Sequence, residues 1–166
     1  MIYKRILATV VAVAAVFSTP VLAISEEQQG AISQYCGTIR QTLQVVQRTD
    51  SRWRTRLGTR YETIYSHYLD PLNHRLLENG LLNSAFSLRQ TDFIATRAEF
   101  SSSFKTYSDS LSELIAYDCQ NDPDGFYEKL LEVRTKREIV HAAVLGMDDV
   151  IAGHRNDVFE LRNSYE

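Results

Sequence analysis

The chain contains 166 residues, of which 44% are hydrophobic and 23% are charged, with seven glycines and three prolines. This composition is ordinary for a globular protein and excludes collagen-like, low-complexity and intrinsically disordered chains, while the length is typical of one domain. The formal net charge of −3 disfavours a nucleic-acid binder, because such proteins are usually basic.

Residues 1–23 have the pattern of a secretory signal peptide. A positively charged start precedes the apolar run from Ile6 to Phe17, and Val21-Leu22-Ala23 then matches a small-residue cleavage site. The alternative is an uncleaved membrane anchor, which would be the chain's only contact with a membrane. We therefore expect export to a periplasm-like space, the cell surface or the extracellular medium, with residues 24–166 forming a single helical domain.

Three long segments carry hydrophobic side chains at alternating spacings of four and three residues. They run from about Glu26 to Leu69, from Ser84 to Cys119 and from Pro123 to Asn163. This periodicity is typical of amphipathic helices that pack side by side, and short connections make neighbouring helices antiparallel. The pattern predicts an all-α fold, as an elongated, coiled-coil-like antiparallel three-helix bundle.

Two Asp-Pro pairs indicate helix starts. Asp70-Pro71 and Asp122-Pro123 each offer an N-cap residue followed by proline at the first helical position, and Asn79-Gly80 offers a helix stop. We therefore predict a short helix from Pro71 that caps one end of the bundle.

The two cysteines lie at matching positions. Cys36 is near the start of the first long helix, and Cys119 is at the end of the second. Antiparallel helices would bring both to the same end of the bundle, and an even number of cysteines in an exported protein favours pairing. The sequence predicts a Cys36–Cys119 disulfide.

Two charged residues occupy positions in the hydrophobic pattern. Asp50 lies fourteen residues after Cys36, and Arg137 lies fourteen residues after Pro123, so counting from the disulfide end places both in one layer. We predict a buried Asp50–Arg137 ion pair, which would fix the register of the helices rather than add stability. The alternative is that one of these side chains reaches solvent. Trp53 holds the next position of the same pattern and is expected to face the partner helices.

The same counting places His67, His74 and His154 near the opposite end of the bundle, with Asp70 close by. Imidazole and carboxylate groups could together hold Zn²⁺. However, no two of the histidines form a close ligand pair on one helix face. The simpler interpretation is therefore a set of histidines at the end of a bundle, without a bound metal.

Other motif fragments are incomplete. Glu138-x-x-His141 matches half of a di-iron bundle motif but occurs in one copy, and the segment from Asn121 to Gly125 lacks carboxylates at the positions a calcium loop requires. The serine-hydrolase, zinc-protease and dinucleotide signatures are also missing from the sequence. We therefore predict no cofactor and name no catalytic residue.

The strongest local charge feature is a group of five arginines: Arg48, Arg52, Arg54, Arg56 and Arg60. Only Asp50 opposes them, and four of the five recur every fourth residue. Like charges at that helical spacing destabilise by roughly 0.2–0.5 kcal/mol per pair. One compensation is internal pairing with the acids expected at the same height, which are Glu99, Asp109, Glu138 and Asp148. The other is an anionic partner, such as an envelope polymer, phospholipid headgroups or an acidic protein.

Several of these segments together resemble exported helical proteins of Saccharibacteria and related small-genome bacteria. The residues that carry the resemblance are Arg48-Thr49-Asp50-Ser51, Leu57-Gly58, Asp70-Pro71-Leu72-Asn73-His74-Arg75-Leu76, Asp118-Cys119 and Phe126-Tyr127-Glu128-Lys129-Leu130 with Arg134 and Arg137. The resemblance implies a bacterial envelope or extracellular setting and transfers no functional residues.

These features favour a non-enzymatic exported protein that acts in binding or as a structural element at the cell envelope or surface. Its partner would be an envelope or surface protein or an anionic polymer, contacted through the arginines. The alternative is an envelope metal-binding protein or enzyme that uses the histidines at one end. The sequence does not indicate an oligomeric state.

Overall fold

The computed structural model describes residues 24–81 and 84–164, and these are almost entirely helical. The elements are α1 (Glu26–Ile64), a π-helical turn (Tyr65–Leu69), α2 (Asp70–Glu78), α3 (Ser84–Ala116) and α4 (Pro123–Asn163). The predicted all-α fold with three long helices is confirmed, and the described ranges contain no strand. The predicted signal peptide, residues 1–23, lies outside the described residues.

Side-chain caps begin two of the long helices. Ser25 accepts a hydrogen bond from the backbone N–H of Gln28, whose side chain accepts one from the Ser25 backbone in return, so both donors are satisfied. Asp122 accepts a hydrogen bond from the Gly125 N–H, with Pro123 in the first turn of α4. The helix start predicted from Asp122-Pro123 is confirmed.

The helix predicted to begin at Asp70-Pro71 is present as α2, but the predicted cap by Asp70 is wrong, because α1 passes into α2 without leaving helical backbone. Leu69, which precedes α2, has φ of −67° and ψ of −56° and makes no side-chain cap. The N–H of Asp70 bonds to the carbonyl of Tyr65, five residues back. This wider turn lets the helix continue past Pro71, which has no N–H to donate and would clash in a regular α-helical turn.

The predicted disulfide is confirmed. Cys36 on α1 is joined to Cys119 in the turn after α3, with a Cα–Cα distance of 5.5 Å, and both residues are buried. Beyond the disulfide, contacts between α1 and α3 run in opposite sequence order. Asp50 contacts Tyr107, and further along α1 the Tyr61 ring packs edge-on against a residue earlier in α3, Phe100.

The core consists of two clusters of buried side chains, most of which come from α3 and α4. The disulfide-end cluster contains Cys36, Phe104, Tyr107, Leu111, Leu114, Cys119, Phe126 and Val133. The far cluster contains Tyr61, Leu69, Phe93, Phe100, Ala143 and Met147. Cys36 and Tyr61 are the two buried residues of α1. Its partly buried side chains also pack against the clusters, on both sides of the exposed residues 51–56; they are Ile32, Ile39, Leu43, Val46, Leu57 and Ile64.

The middle of α1 lies apart from the other helices. Residues 51–56 are all exposed, and six consecutive residues cover every face of more than one helical turn. Trp53 lies inside this run and is 51% exposed. The expectation that Trp53 faces the partner helices is therefore wrong, because no partner helix is close enough to cover it.

Removing the disulfide should destabilise the fold substantially. The bond joins residues separated by 83 positions, and the chain-entropy model gives at most about 4–5 kcal/mol for a loop of that size. We expect the double variant Cys36→Ala with Cys119→Ala to lose most of that free energy of unfolding, as measured by urea denaturation followed by circular dichroism. The reduced parent protein serves as control, and an unchanged unfolding midpoint would contradict the expectation.

Candidate functional site

One carboxylate contacts side chains from both other long helices. Asp50 on α1 accepts hydrogen bonds from the Tyr107 hydroxyl on α3 at 2.6 Å and from Arg137 on α4 at 3.1 and 3.2 Å. We call these three residues the polar layer. The structure thus brings the predicted Asp50–Arg137 pair together. Only the Asp50 half of the pair is shielded from solvent, since its side chain is 14% exposed and that of Arg137 is 60% exposed.

Sequence reasoning missed Tyr107 as a member of this layer. Burial raises the pKa of Tyr107, and the hydrogen bond to Asp50 raises it further, so the hydroxyl stays protonated and donates. Tyr107 falls within the hydrophobic pattern of α3, which indicates only a core position. The available signal was its placement at the height of Asp50, where a buried hydroxyl could satisfy the carboxylate.

A cleft of about 540 Å³ opens beside the polar layer, between α1 and α4. Its volume falls within the usual range of small-molecule sites. The buried Phe100 and Phe104 of α3 form its floor, and the partly buried Leu57, Val140 and Val144 form its walls. The exposed side chains at its rim are Trp53, Arg54, Arg134, Glu138 and His141.

The rim of the cleft carries excess positive charge. Arg54 and Arg134 form no ion pair within the described chain, whereas the Arg137 guanidinium is already bonded to Asp50. The Arg54 guanidinium lies over the Phe104 ring, 5.6 Å from its centroid, which holds a cation above the aromatic floor. The arrangement suits an anionic group better than a cationic one.

The five arginines of α1 are all exposed. None of them forms an ion pair with another described residue. Asp109, one of the predicted internal partners, instead pairs with Lys105 at 2.6 Å. For the described residues, the expectation of internal pairing is therefore wrong. The exposed middle of α1 leaves these side chains largely in water, and the guanidinium of Arg54 lies over the Phe104 ring of α3.

The three histidines proposed as metal ligands have different surroundings. His67 is exposed beside the Ser66 hydroxyl, and His74 is exposed with its Nδ1 3.4 Å from Glu78. His154 is buried with its ring edge-on to Phe86. No group of three His, Cys, Asp or Glu side chains in residues 24–81 and 84–164 could hold a metal ion. The alternative of a Zn²⁺ site formed by these histidines is therefore wrong for the described residues.

His154 is a buried base next to an ion pair. Burial lowers the pKa of His154; the nearby Asp157 opposes this shift, and Arg89 adds to it. Arg89 and Asp157 pair at 3.0 Å. Gly153 makes room for this pair, because a Cβ there would lie 2.5 Å from the Arg89 guanidinium.

The protein should become less stable at acidic pH because of His154. Because its pKa is lower in the folded state, the unfolded chain binds more protons below the ordinary value of 6.5, so stability falls as pH drops below that value. We expect His154→Gln to lose less stability than the parent between about pH 7.5 and pH 5.5 in thermal unfolding. His74→Gln, at an exposed position, is the control, and equal losses in all three proteins would contradict this.

Within the polar layer, Asp50 should matter more than Arg137. Asp50→Ala leaves the buried Tyr107 hydroxyl without its acceptor, which costs about 1–3 kcal/mol. Arg137→Ala removes a largely exposed partner and should cost about 1 kcal/mol or less. Urea denaturation of both variants tests this order. The control is Asp109→Ala, which breaks an exposed ion pair and shows how much stability a surface contact contributes. A larger loss of stability for Arg137→Ala than for Asp50→Ala would contradict the expected order.

Comparison with known proteins adds no relative: no family model matches the chain, and no curated protein or solved structure is significantly similar to it. Among residues 24–81 and 84–164, no helix combines the length and apolar character needed to span a membrane. Interpretation of the site therefore depends on its own geometry and chemistry.

Proposed function

We propose that this chain is an exported, non-enzymatic protein that binds an anionic polymer at the bacterial cell envelope or surface. The binding surface is the arginine face, formed by Arg48, Arg52, Arg56 and Arg60, while Arg54 lies on the other side of α1, over the Phe104 ring. The observation that carries the proposal is that these four arginines are exposed and have no ionic partner among the described residues.

The spacing of the arginine face supports this proposal energetically. Arg48, Arg52, Arg56 and Arg60 follow one another at four-residue intervals, so each neighbouring pair repels by roughly 0.2–0.5 kcal/mol. A polyanion would relieve this repulsion. Guanidinium groups also form two parallel hydrogen bonds to one carboxylate or phosphate, which favours arginine over lysine on such a surface.

The proposed scaffold is an antiparallel three-helix bundle with α2 covering the end opposite the disulfide. The opposite order of the α1 and α3 contacts supports antiparallel helices. At that end, the buried Asn73 of α2 donates hydrogen bonds to the Gln90 side chain at 2.8 Å and to the Phe86 carbonyl at 3.3 Å, both near the start of α3.

The proposed location rests on two observations. The signal-like pattern of residues 1–23 favours export, and a disulfide is compatible with an oxidising compartment. The resemblance to exported proteins of small-genome bacteria agrees with both.

Charge reversal tests the arginine face. Calorimetric titration with long-chain polyphosphate should show binding by the parent and its loss in Arg52→Glu with Arg56→Glu, because two central cations become anions. The control, Lys105→Glu with Arg155→Glu, changes net charge equally but lies on α3 and α4. An equal loss in the control would show non-specific charge attraction and contradict the proposal.

The single variant Arg52→Glu separates binding from folding. The new carboxylate lies four residues from both Arg48 and Arg56, so two repulsive pairs become attractive, and we expect a gain of roughly 0.8–2 kcal/mol in the free energy of unfolding. Urea denaturation measures it. A marked loss of stability would mean that the arginines are structural supports instead of a binding surface.

A further inference from the structure

We propose that the cleft between α1 and α4 is a binding site for a single-chain fatty acid, with the hydrocarbon tail against α3 and the carboxylate near Arg134. This site goes beyond the arginine face, because its walls and floor are apolar and belong to three helices.

The shape of the cleft fits a small ligand better than a protein segment. Its lining extends from Asp50 to Leu57 on α1 and from Arg134 to Val144 on α4, which correspond to about 10 and 15 Å of helix axis. A partner helix of that length would have fewer than three turns, and such short helices are marginal in water. The cleft volume of about 540 Å³ is instead typical of small-molecule sites.

The apolar part of the cleft is open because α1 does not cover it. Residues 51–56 are exposed on all sides, while α3 places Phe100 and Phe104 beneath them. These rings are already buried, so the apolar surface still in contact with water belongs to the partly exposed Leu57, Val140 and Val144 and to the exposed Trp53. A hydrocarbon chain laid against these side chains would remove that surface from water, which is favourable at about 25 cal/mol per Å².

The two ends of the cleft differ in polarity, and this orients the ligand. Arg134 and Arg137 lie at the end toward the disulfide, whereas Leu57, Phe100 and Val144 lie at the other end. Since Asp50 is already occupied by Tyr107 and Arg137, its charge is compensated within the polar layer.

The remaining charges on the rim favour an anion. Arg54 and Arg134 face one exposed carboxylate, that of Glu138, which leaves an excess of one positive charge. A carboxylate in this weakly polar cleft is attracted to the arginines more strongly than it would be in bulk water. A ligand with one carboxylate and one apolar tail matches this pattern.

The chain carries its own reporter of occupancy, because its single tryptophan, Trp53, stands on the rim. The full-length chain is titrated with sodium dodecanoate below its micelle concentration, and Trp53 emission is recorded, with calorimetry as a second measurement. We expect a blue shift that saturates at one ligand per chain. Dodecanol, which has the same tail without a charge, should bind about tenfold more weakly.

Variants assign the signal to the cleft. Val144→Phe fills the apolar end and should weaken dodecanoate binding at least about tenfold. Arg54→Gln with Arg134→Gln, both at exposed positions, should remove the preference for dodecanoate over dodecanol. The matched control, Lys105→Gln with Arg155→Gln, should bind like the parent. Every variant retains residues 1–23, so any binding to that apolar segment is the same in all of them.

Several outcomes would overturn the proposal. These are the absence of saturable binding, equal affinity of the parent for dodecanoate and dodecanol, and binding unaffected by both cleft variants. A Trp53 shift that depends on protein concentration alone would show that a second copy covers the cleft. Arg52→Glu should leave dodecanoate binding intact, so a failed polyphosphate test and a failed fatty-acid test remain distinguishable.

Discussion

The Asp50 carboxylate is the constraint on which the arrangement of the long helices depends. It accepts hydrogen bonds from Tyr107 on α3 and from Arg137 on α4, so one group fixes the height of α1 against both neighbours. Hydrophobic contacts alone permit a helix to slide by a turn, because they are not directional. The mostly buried Asp50 carboxylate opposes such sliding, because moving it away from its hydrogen-bond donors would leave it desolvated and unpaired.

The polar layer lies where the two clusters of the core meet, beside the open surface. Tyr107 belongs to the disulfide-end cluster, Val140 packs against both clusters, and α1 is buried only at Cys36 and Tyr61. Between the layer and Leu57, α1 has no close partner. This geometry leaves the cleft open and keeps the arginine face in solvent, so the scaffold and both proposed binding surfaces have one structural origin.

Much of this architecture is predictable from residue spacing. The three long helices follow from hydrophobic periodicity, the disulfide from the positions of Cys36 and Cys119, and the Asp50–Arg137 contact from equal counts along two helices. These features depend on distance along regular helices, which a sequence encodes directly.

Other features depend on how closely the helices approach, which periodicity does not report. Trp53 lies on the apolar face of α1 but has no helix against it. Likewise, the helix continues past Pro71 through a π-helical turn, although proline usually marks a boundary. The cleft could not be predicted because Leu57, Val140 and Val144 have the same spacing whether a facing helix covers them or leaves them partly exposed.

Hydrogen exchange along α1 in the oxidised protein tests the central claim most directly, because local protection reports which backbone segments are supported by packing. We expect slow exchange where α1 packs on the disulfide-end cluster, from Cys36 to Val46, and again around Tyr61. Residues 51–56 should exchange markedly faster than both. Uniform slow exchange from Cys36 to Tyr61 would mean that α1 is packed along its whole length, and it would contradict the open cleft and the role given to the polar layer.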